Sequence, residues 1–598
     1  MTDLEPIHEP VREYRDDLKE RFRRNAAETF EELFRQSGVD AEANRNTVAV
    51  IRVLEKAVAA IREHLGRMRF LRVFCWLIGI LGILTAVFWL LPHISRDLPD
   101  LQIPPLAAGI GVIVAVAAFL LIFRQLNRKI AESDQTLSEK ECALADKMAE
   151  AWAQMEPLNR LFQWDTVTGI IMRTCPLFTF DKFFSAARMT ELCKQFLWQD
   201  PDSGDESVLF CHSGALNGNP FVIGDKLFFY WGEKTYHGTL EISWQEWETY
   251  TDSNGKQRRR LVTKHQTLHA SVTRPFPEYA RQKFILYGNG AAPDLNFSRE
   301  PSGLSRLGDG VWGRFRMRSA IKSLHRKTNN MKTSFTIMAN EAFDATFGAL
   351  DRDNEHQFRL LFTPLAQQEM LHVLRDRKQG FGDDFSFRKS HMINTVIPGH
   401  LSSADITAAP HLFRHYDLAS SREFFNEYCN EFFRNLFFGF APLLAIPLYQ
   451  QNEADHDIFK TPDAEEACSW EREAIANTYG DAPFRHSDSV TRNILKTEAR
   501  HNRDGSTTVE VTAHGFRSEP RMEYVSVYGG DGHWHDVPVP WDEYLPVSRS
   551  SPLVLREMSS AQADAKPAAD RAKPFSGWDV AAENILYRRS IASFIPKN

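Results

Sequence analysis

Two runs of the chain, 73–91 (VFCWLIGILGILTAVFWLL) and 106–123 (LAAGIGVIVAVAAFLLIF), hold no charged side chain. Each approaches the ~20 residues a helix needs to cross a hydrocarbon core. Buried helices of water-soluble proteins keep a polar stripe, which neither run has, so the pattern predicts a two-helix transmembrane hairpin over 71–123. Arg62, Arg67, Arg69 and Arg72 precede the first run and Arg124, Arg128 and Lys129 follow the second, whereas Arg96 in the loop is offset by Asp97 and Asp100. The positive-inside rule then places both termini in the cytosol of a multi-pass protein of a bacterial inner membrane. Gly79, Gly82, Ala107, Gly111 and Ala115 leave flat faces for close helix packing. No ionisable residue within the runs marks an ion path, and their distance from the amino end excludes a signal peptide.

Apolar residues recur at spacings of three and four on both sides of the hairpin. Ile51, Leu54, Val58, Ile61, Leu65 and Met68 form one seam, and Leu144, Met148, Ala151, Met155, Leu158 and Phe162 the other. The spacing predicts a coiled-coil-like stalk from the helices of 1–70 and 124–162, read first as a spacer and second as a signalling or oligomerisation stalk through which a homo-oligomer forms. A first helix over Val11–Gln36 ends near Ser37 and Gly38.

From 163 to 455 the pattern mixes strands, turns and short helices and predicts a cytosolic α+β domain. A helix is expected at Asp181–Phe196. Strands are expected at Val208–His212, Leu227–Trp231, Thr239–Trp244 and Leu261–Thr273, the last two joined by a turn at Asn254 and Gly255. Segment 341–374 reads as strand, acidic turn, strand, then a helix opened by Thr363 and Pro364. The apolar stretch Phe424–Tyr449, with Pro442 and Pro447, reads first as a buried core helix, then as a surface or re-entrant segment, and last as a third span. Residues 456–557 form a small β-rich carboxy-terminal module, with turns at Asp504–Gly505 and Gly529–Gly532. An Ala/Pro-rich linker and a helix near Trp578–Phe594 complete 558–598.

The net charge of −7, from 71 Lys and Arg against 78 Asp and Glu, argues against a general nucleic-acid binder. Any basic surface is local. The strongest is a helix over Trp312–Lys327, which carries Arg314, Arg316, Arg318, Lys322, Arg326 and Lys327 with no acidic residue between Gly310 and Asn340. Such a face can meet anionic lipid of a bilayer, each charge contributing about 1 kcal/mol, or a protein partner, or pair with acidic neighbours in the fold. The seven cysteines have no CxxC spacing, which fits a reducing compartment and writes no zinc site. Gly308, Gly310 and Gly313 match GxGxxG but follow no strand, so no dinucleotide is expected. Asp351, Asp353 and Glu355 lack the remainder of a calcium loop, and His533 with His535 lacks a third ligand. No metal or cofactor is implied.

Phe343, Phe347, the segment FRLLFTP at 358–364 and the leucine-bearing helix after it resemble an uncharacterised bacterial membrane family with two amino-terminal spans and a cytosolic domain of unknown function. The resemblance covers about 200–390, departs at Phe362 and in the long carboxy-terminal extension, and implies architecture only.

The chain carries no GxSxG, HExxH or P-loop spacing. Its sequence therefore points to a membrane-anchored, cytosol-facing binding or scaffold role at the inner leaflet. The alternative is a membrane-bound hydrolase or transferase whose groups come from distant segments, with Asp383, Asp384, His391, His533 and His535 as candidates. A transport role would require 432–449 to cross the bilayer.

Overall fold

Period-two alternation builds two antiparallel sheets. In the computed structural model, the first comprises β1 (Phe178–Phe180), β2 (Glu206–Leu216), β3 (Asn219–Thr251), β4 (Gln257–Gly288), β5 (Asn296–Arg299), β6 (Phe385–Ser390) and β7 (Ile393–Pro398), in the order β1-β2-β3-β4-β7-β6-β5. The second comprises β8 (Ile494–His501), β9 (Thr507–Tyr528), β10 (Trp534–Glu557), β11 (Asn584–Tyr587) and β12 (Ser590–Phe594), in the order β11-β12-β10-β9-β8. The structure describes all residues except 1–5, 95–104, 200–203, 252–255, 307–309, 329–334, 453–465, 503–505, 558–583, 589 and 595–598, and no side chains at 81–118, 556–557, 584–587 and 590–594. The expected turns at Asn254–Gly255 and Asp504–Gly505 and the Ala/Pro-rich linker lie outside the described residues.

The separate strands expected at 227–231 and 239–244 are parts of one strand. β3 pairs with β4 without a break from Phe221↔Tyr287 to Thr251↔Gln257. β2 leaves β3 at Phe228, and β7 leaves β4 at Ile285, so beyond them β3 and β4 form a two-stranded ribbon. A lone ribbon is marginal in water. The β9–β10 ribbon covers one of its faces, burying Leu268, Ala270, Val537 and Val539 between them. Close approach at this contact requires Gly238: a Cβ there would lie 2.1 Å from the Pro538 carbonyl oxygen, which is backbone and cannot swing aside. Gly238→Ala is therefore expected to cost about 1–3 kcal/mol. Hydrogen exchange should show faster exchange of β9 and β10 amides than of β6 and β7; equal protection in variant and wild type would contradict this packing.

The segment 341–361 is corrected from strands to helices. Asn340 and Asn354 cap the helices Glu341–Phe347 and Glu355–Leu361 by accepting from the amides of Phe343 and Gln357, and Gly348 ends the first in the left-handed region. Four-residue spacing puts Phe343 with Phe347, and Phe358 with Phe362, on one side. All four are fully buried, and Phe347, Phe358 and Phe362 ring Phe297 of β5. The helix Pro364–Arg375 starts at the expected Thr363 cap. At the carboxy end, 584–594 is a strand pair rather than a helix: β11 pairs with β12, and β12 completes the open edge of β10.

The described chain divides into two compact units, Met1–Glu28 with Gln163–Ala409 and Glu427–Asn598, and Thr29–Phe162 with Pro410–Asn426. In the first, the helix Ser469–Thr478 presses Trp470, Ala474 and Ile475 onto β2, β8 and β9, so residues of both sheets share one core. Residues 427–444 are also core: Phe433 stacks on Phe22 at 4.2 Å, and Phe440 meets Phe178 and Phe221 edge-on. The second unit pairs the helices Ala41–Ile94 and Pro105–Asn159 through Leu65, Leu126 and Ile130, with ion pairs Arg62–Glu141 and Arg69–Asp134 alongside.

The membrane hairpin is corrected as well. Among the described residues no helix is long and apolar enough to cross a membrane. Of the expected spans, the structure describes the side chains at 73–80 and 119–123. These stretches continue helices whose neighbouring turns carry Arg62, Arg67, Arg69, Arg72, Arg124 and Arg128. The middle of each expected span, within 81–118, lies outside the described side chains. The two-span fold class, the transmembrane description and the multi-pass inner-membrane location are accordingly not retained; the fold is α+β, built on the seven-stranded sheet.

Candidate functional site

Basic residues dominate one helix, Val311–Thr328, as its sequence predicts. Met317, Ala320, Ile321 and Leu324, at spacings of three and four, turn inward against Phe335, Ala345 and Leu350. The outer face exposes Arg314, Arg316, Arg318, Lys322 and Arg326. None of these five makes an ion pair among the described residues. Lys327 is the exception within the predicted set: it donates to the Leu350 carbonyl at 2.6 Å and lies over the Phe335 ring. His325 is paired with Glu341 at 3.0 Å.

Sequence reasoning missed a second feature of that face. Val311, Trp312 and Phe315 are 74%, 80% and 65% exposed. Single exposed hydrophobics are ordinary, but three within two turns, beside five uncompensated cations, form an amphipathic patch directed at solvent. The available signal was their placement one and four residues apart, on the side opposite Met317 and Leu324.

Two buried, ion-paired arginines support this helix. On its amino-terminal side, Asp383 accepts from Arg299 at 2.5 Å and from the Ser302 amide and the hydroxyls of Ser302 and Ser305. Arg299 also donates to the carbonyls of Phe347 and Phe385. On the carboxy-terminal side, Arg352 lies between the Phe335 and Phe358 rings, pairs with Asp344 and Glu355, and donates to the Thr336 carbonyl. The segments flanking the basic helix are thus tied to the three-helix region below it.

The other candidate groups are drawn into separate structural networks. Asp383 serves Arg299, while Asp384 bonds the His400 ring at 2.7 Å. The other His400 ring nitrogen meets the Asn435 carbonyl, and its ring stacks on Phe381. His391 sits at positive φ in the β6–β7 turn, where its amide is held by Asn296. His535 bonds Asp531 at 2.8 Å. Asp351 and Asp353 receive amides of β5, and Glu355 receives Arg352 and the Thr336 amide. Among the described residues no group of three or more His, Cys, Asp or Glu could hold a metal.

Two clefts carry none of these groups. One of about 650 Å³ lies between Phe276, Tyr279, Val490, Arg492 and Tyr544. The other, of about 540 Å³, sets Arg12, Arg15 and Arg375 beside Glu9, Glu369 and Asp376, so its charges cancel.

No family model, curated protein or solved structure matches this chain. The likeness drawn from Phe343, Phe347 and the 358–364 segment is therefore set aside: those phenylalanines are accounted for by the core around Phe297.

Lys389 of β6 is buried. Its ammonium donates to the His391 carbonyl at 2.5 Å, and burial pushes it down to about 7. The unfolded chain, with an ordinary lysine near 10.5, then binds the extra proton between these values, so stability rises with pH across that window. Between pH 7 and 9 the wild type should gain roughly 2 kcal/mol more than Lys389→Met in urea unfolding. Parallel pH profiles would show that Lys389 stays solvated.

Proposed function

We propose that the protein acts as a binding module that docks on a polyanionic surface through the outer face of Val311–Thr328. The observation that carries this reading is the set of five exposed cations, without ion-pair partners among the described residues, on a helix firmly packed along its other side. An overall net charge of −7 confines attraction to this face and lets the remainder of the surface repel an anionic target, which fixes orientation. Of the candidate catalytic groups, Asp383 and Asp384 are committed to different networks, and His533 and His535 share the Asp531 carboxylate away from both. Docking at a surface requires no crossing of a bilayer.

Titration of the full chain with fluorescein-labelled inorganic polyphosphate tests the reading. Saturable binding that weakens with added salt is expected; no binding at low salt would remove the docking role.

A further inference from the structure

The docking reading leaves unexplained why Val311, Trp312 and Phe315 face solvent beside the cations. We infer that the polyanionic surface is an anionic lipid bilayer and that these three side chains enter its interfacial layer, an inference that rests on the docking role proposed above. A polyphosphate chain or the backbone of a nucleic acid would be held by the cations alone, and would gain nothing from an exposed valine. A bilayer interface takes up Trp, Phe and Val together, while Arg314, Arg316, Arg318, Lys322 and Arg326 meet lipid phosphates and carboxylates. The arrangement along the helix fits this geometry. The three apolar residues occupy its first five positions, whereas Lys322 and Arg326 lie on the later turns of the exposed face. The amino-terminal end therefore enters the interface, and the rest of the helix lies along the headgroups. Its opposite side stays anchored by Met317, Ile321 and Leu324.

The experiment is co-sedimentation of the full chain with vesicles of phosphatidylcholine, with and without phosphatidylserine, alongside the polyphosphate titration. The wild type should sediment only with vesicles containing phosphatidylserine. Trp312→Ser with Phe315→Ser should weaken that binding about tenfold or more, from the apolar area lost, and leave polyphosphate affinity unchanged. Both positions face solvent, so the variant should fold; circular dichroism and gel filtration verify this. Polyphosphate binding without uptake on either vesicle, or vesicle binding indifferent to the double substitution, overturns the bilayer inference while the docking role stands. Binding of neither probe overturns both. A nucleic-acid target is detected by a single-stranded oligonucleotide that competes for the protein and loses affinity in the double variant through lost stacking, which also overturns the bilayer inference.

Discussion

Asp383→Ala is expected to lower the stability of the sheet-bearing unit by about 3–5 kcal/mol, the usual cost of leaving a buried charge without its partner. Neither side chain of the Arg299–Asp383 pair has any solvent exposure. Burial draws Arg299 below the ordinary arginine value, with Asp383 opposing that shift, so removal of the carboxylate leaves a desolvated guanidinium. Ser302 and Ser305 lose their acceptor in the same substitution. Asp383→Asn, which keeps acceptor capacity but not the charge, should fall between the variant and wild type. Urea unfolding, followed by a probe within this unit because a two-unit chain need not unfold in one step, measures the difference. A loss below about 1 kcal/mol would mean that Arg299 finds another partner and that the segment leading into the basic helix is not held as described.

The second large effect is on binding. Arg316→Glu, Arg318→Glu and Lys322→Glu together replace three of the five exposed cations. At about 1 kcal/mol per charge near an anionic surface, the triple variant should lose on the order of 100-fold or more in affinity for polyphosphate. Thermal stability should change little, because exposed charges without partners contribute little to folding. Lys327→Gln makes the contrasting control. That ammonium is bound to the Leu350 carbonyl, so its removal should affect folding more than binding. Equal binding losses from Lys327→Gln and from the triple variant would show that the exposed face is not what the target touches.

The basic helix was legible because charge and apolar spacing are both local properties: six lysines and arginines without an acid, and Met317, Ala320, Ile321 and Leu324 at helical period. The core character of 427–444 was legible for the same reason, since its phenylalanines exceed what one exposed face could carry. The helices at 341–361 were missed. There, Asn340 and Asn354 are the informative residues, as caps, while the phenylalanines suit either strand or helix and their fate is decided by Phe297, far away in sequence. The continuous β3–β4 ribbon was likewise hidden, because its outer half is half-exposed and takes its order from a second ribbon, β9–β10, nearly 300 residues later in the chain. The hairpin expectation applied a length criterion to runs 73–91 and 106–123, and the described residues supply no such helix. The candidate acids and histidines could not be sorted in sequence at all. Asp383 and Asp384 are adjacent, yet one turns to a buried arginine on β5 and the other to His400.

The most direct test of the docking role is the polyphosphate titration of the wild-type chain at low and at high salt. Affinity should be highest at low ionic strength and fall steeply as the Debye length contracts from about 10 Å at 0.1 M to about 3 Å at 1 M. Affinity that is unmeasurable at low salt, or that is the same at both, would contradict a surface built from the exposed cations of Val311–Thr328.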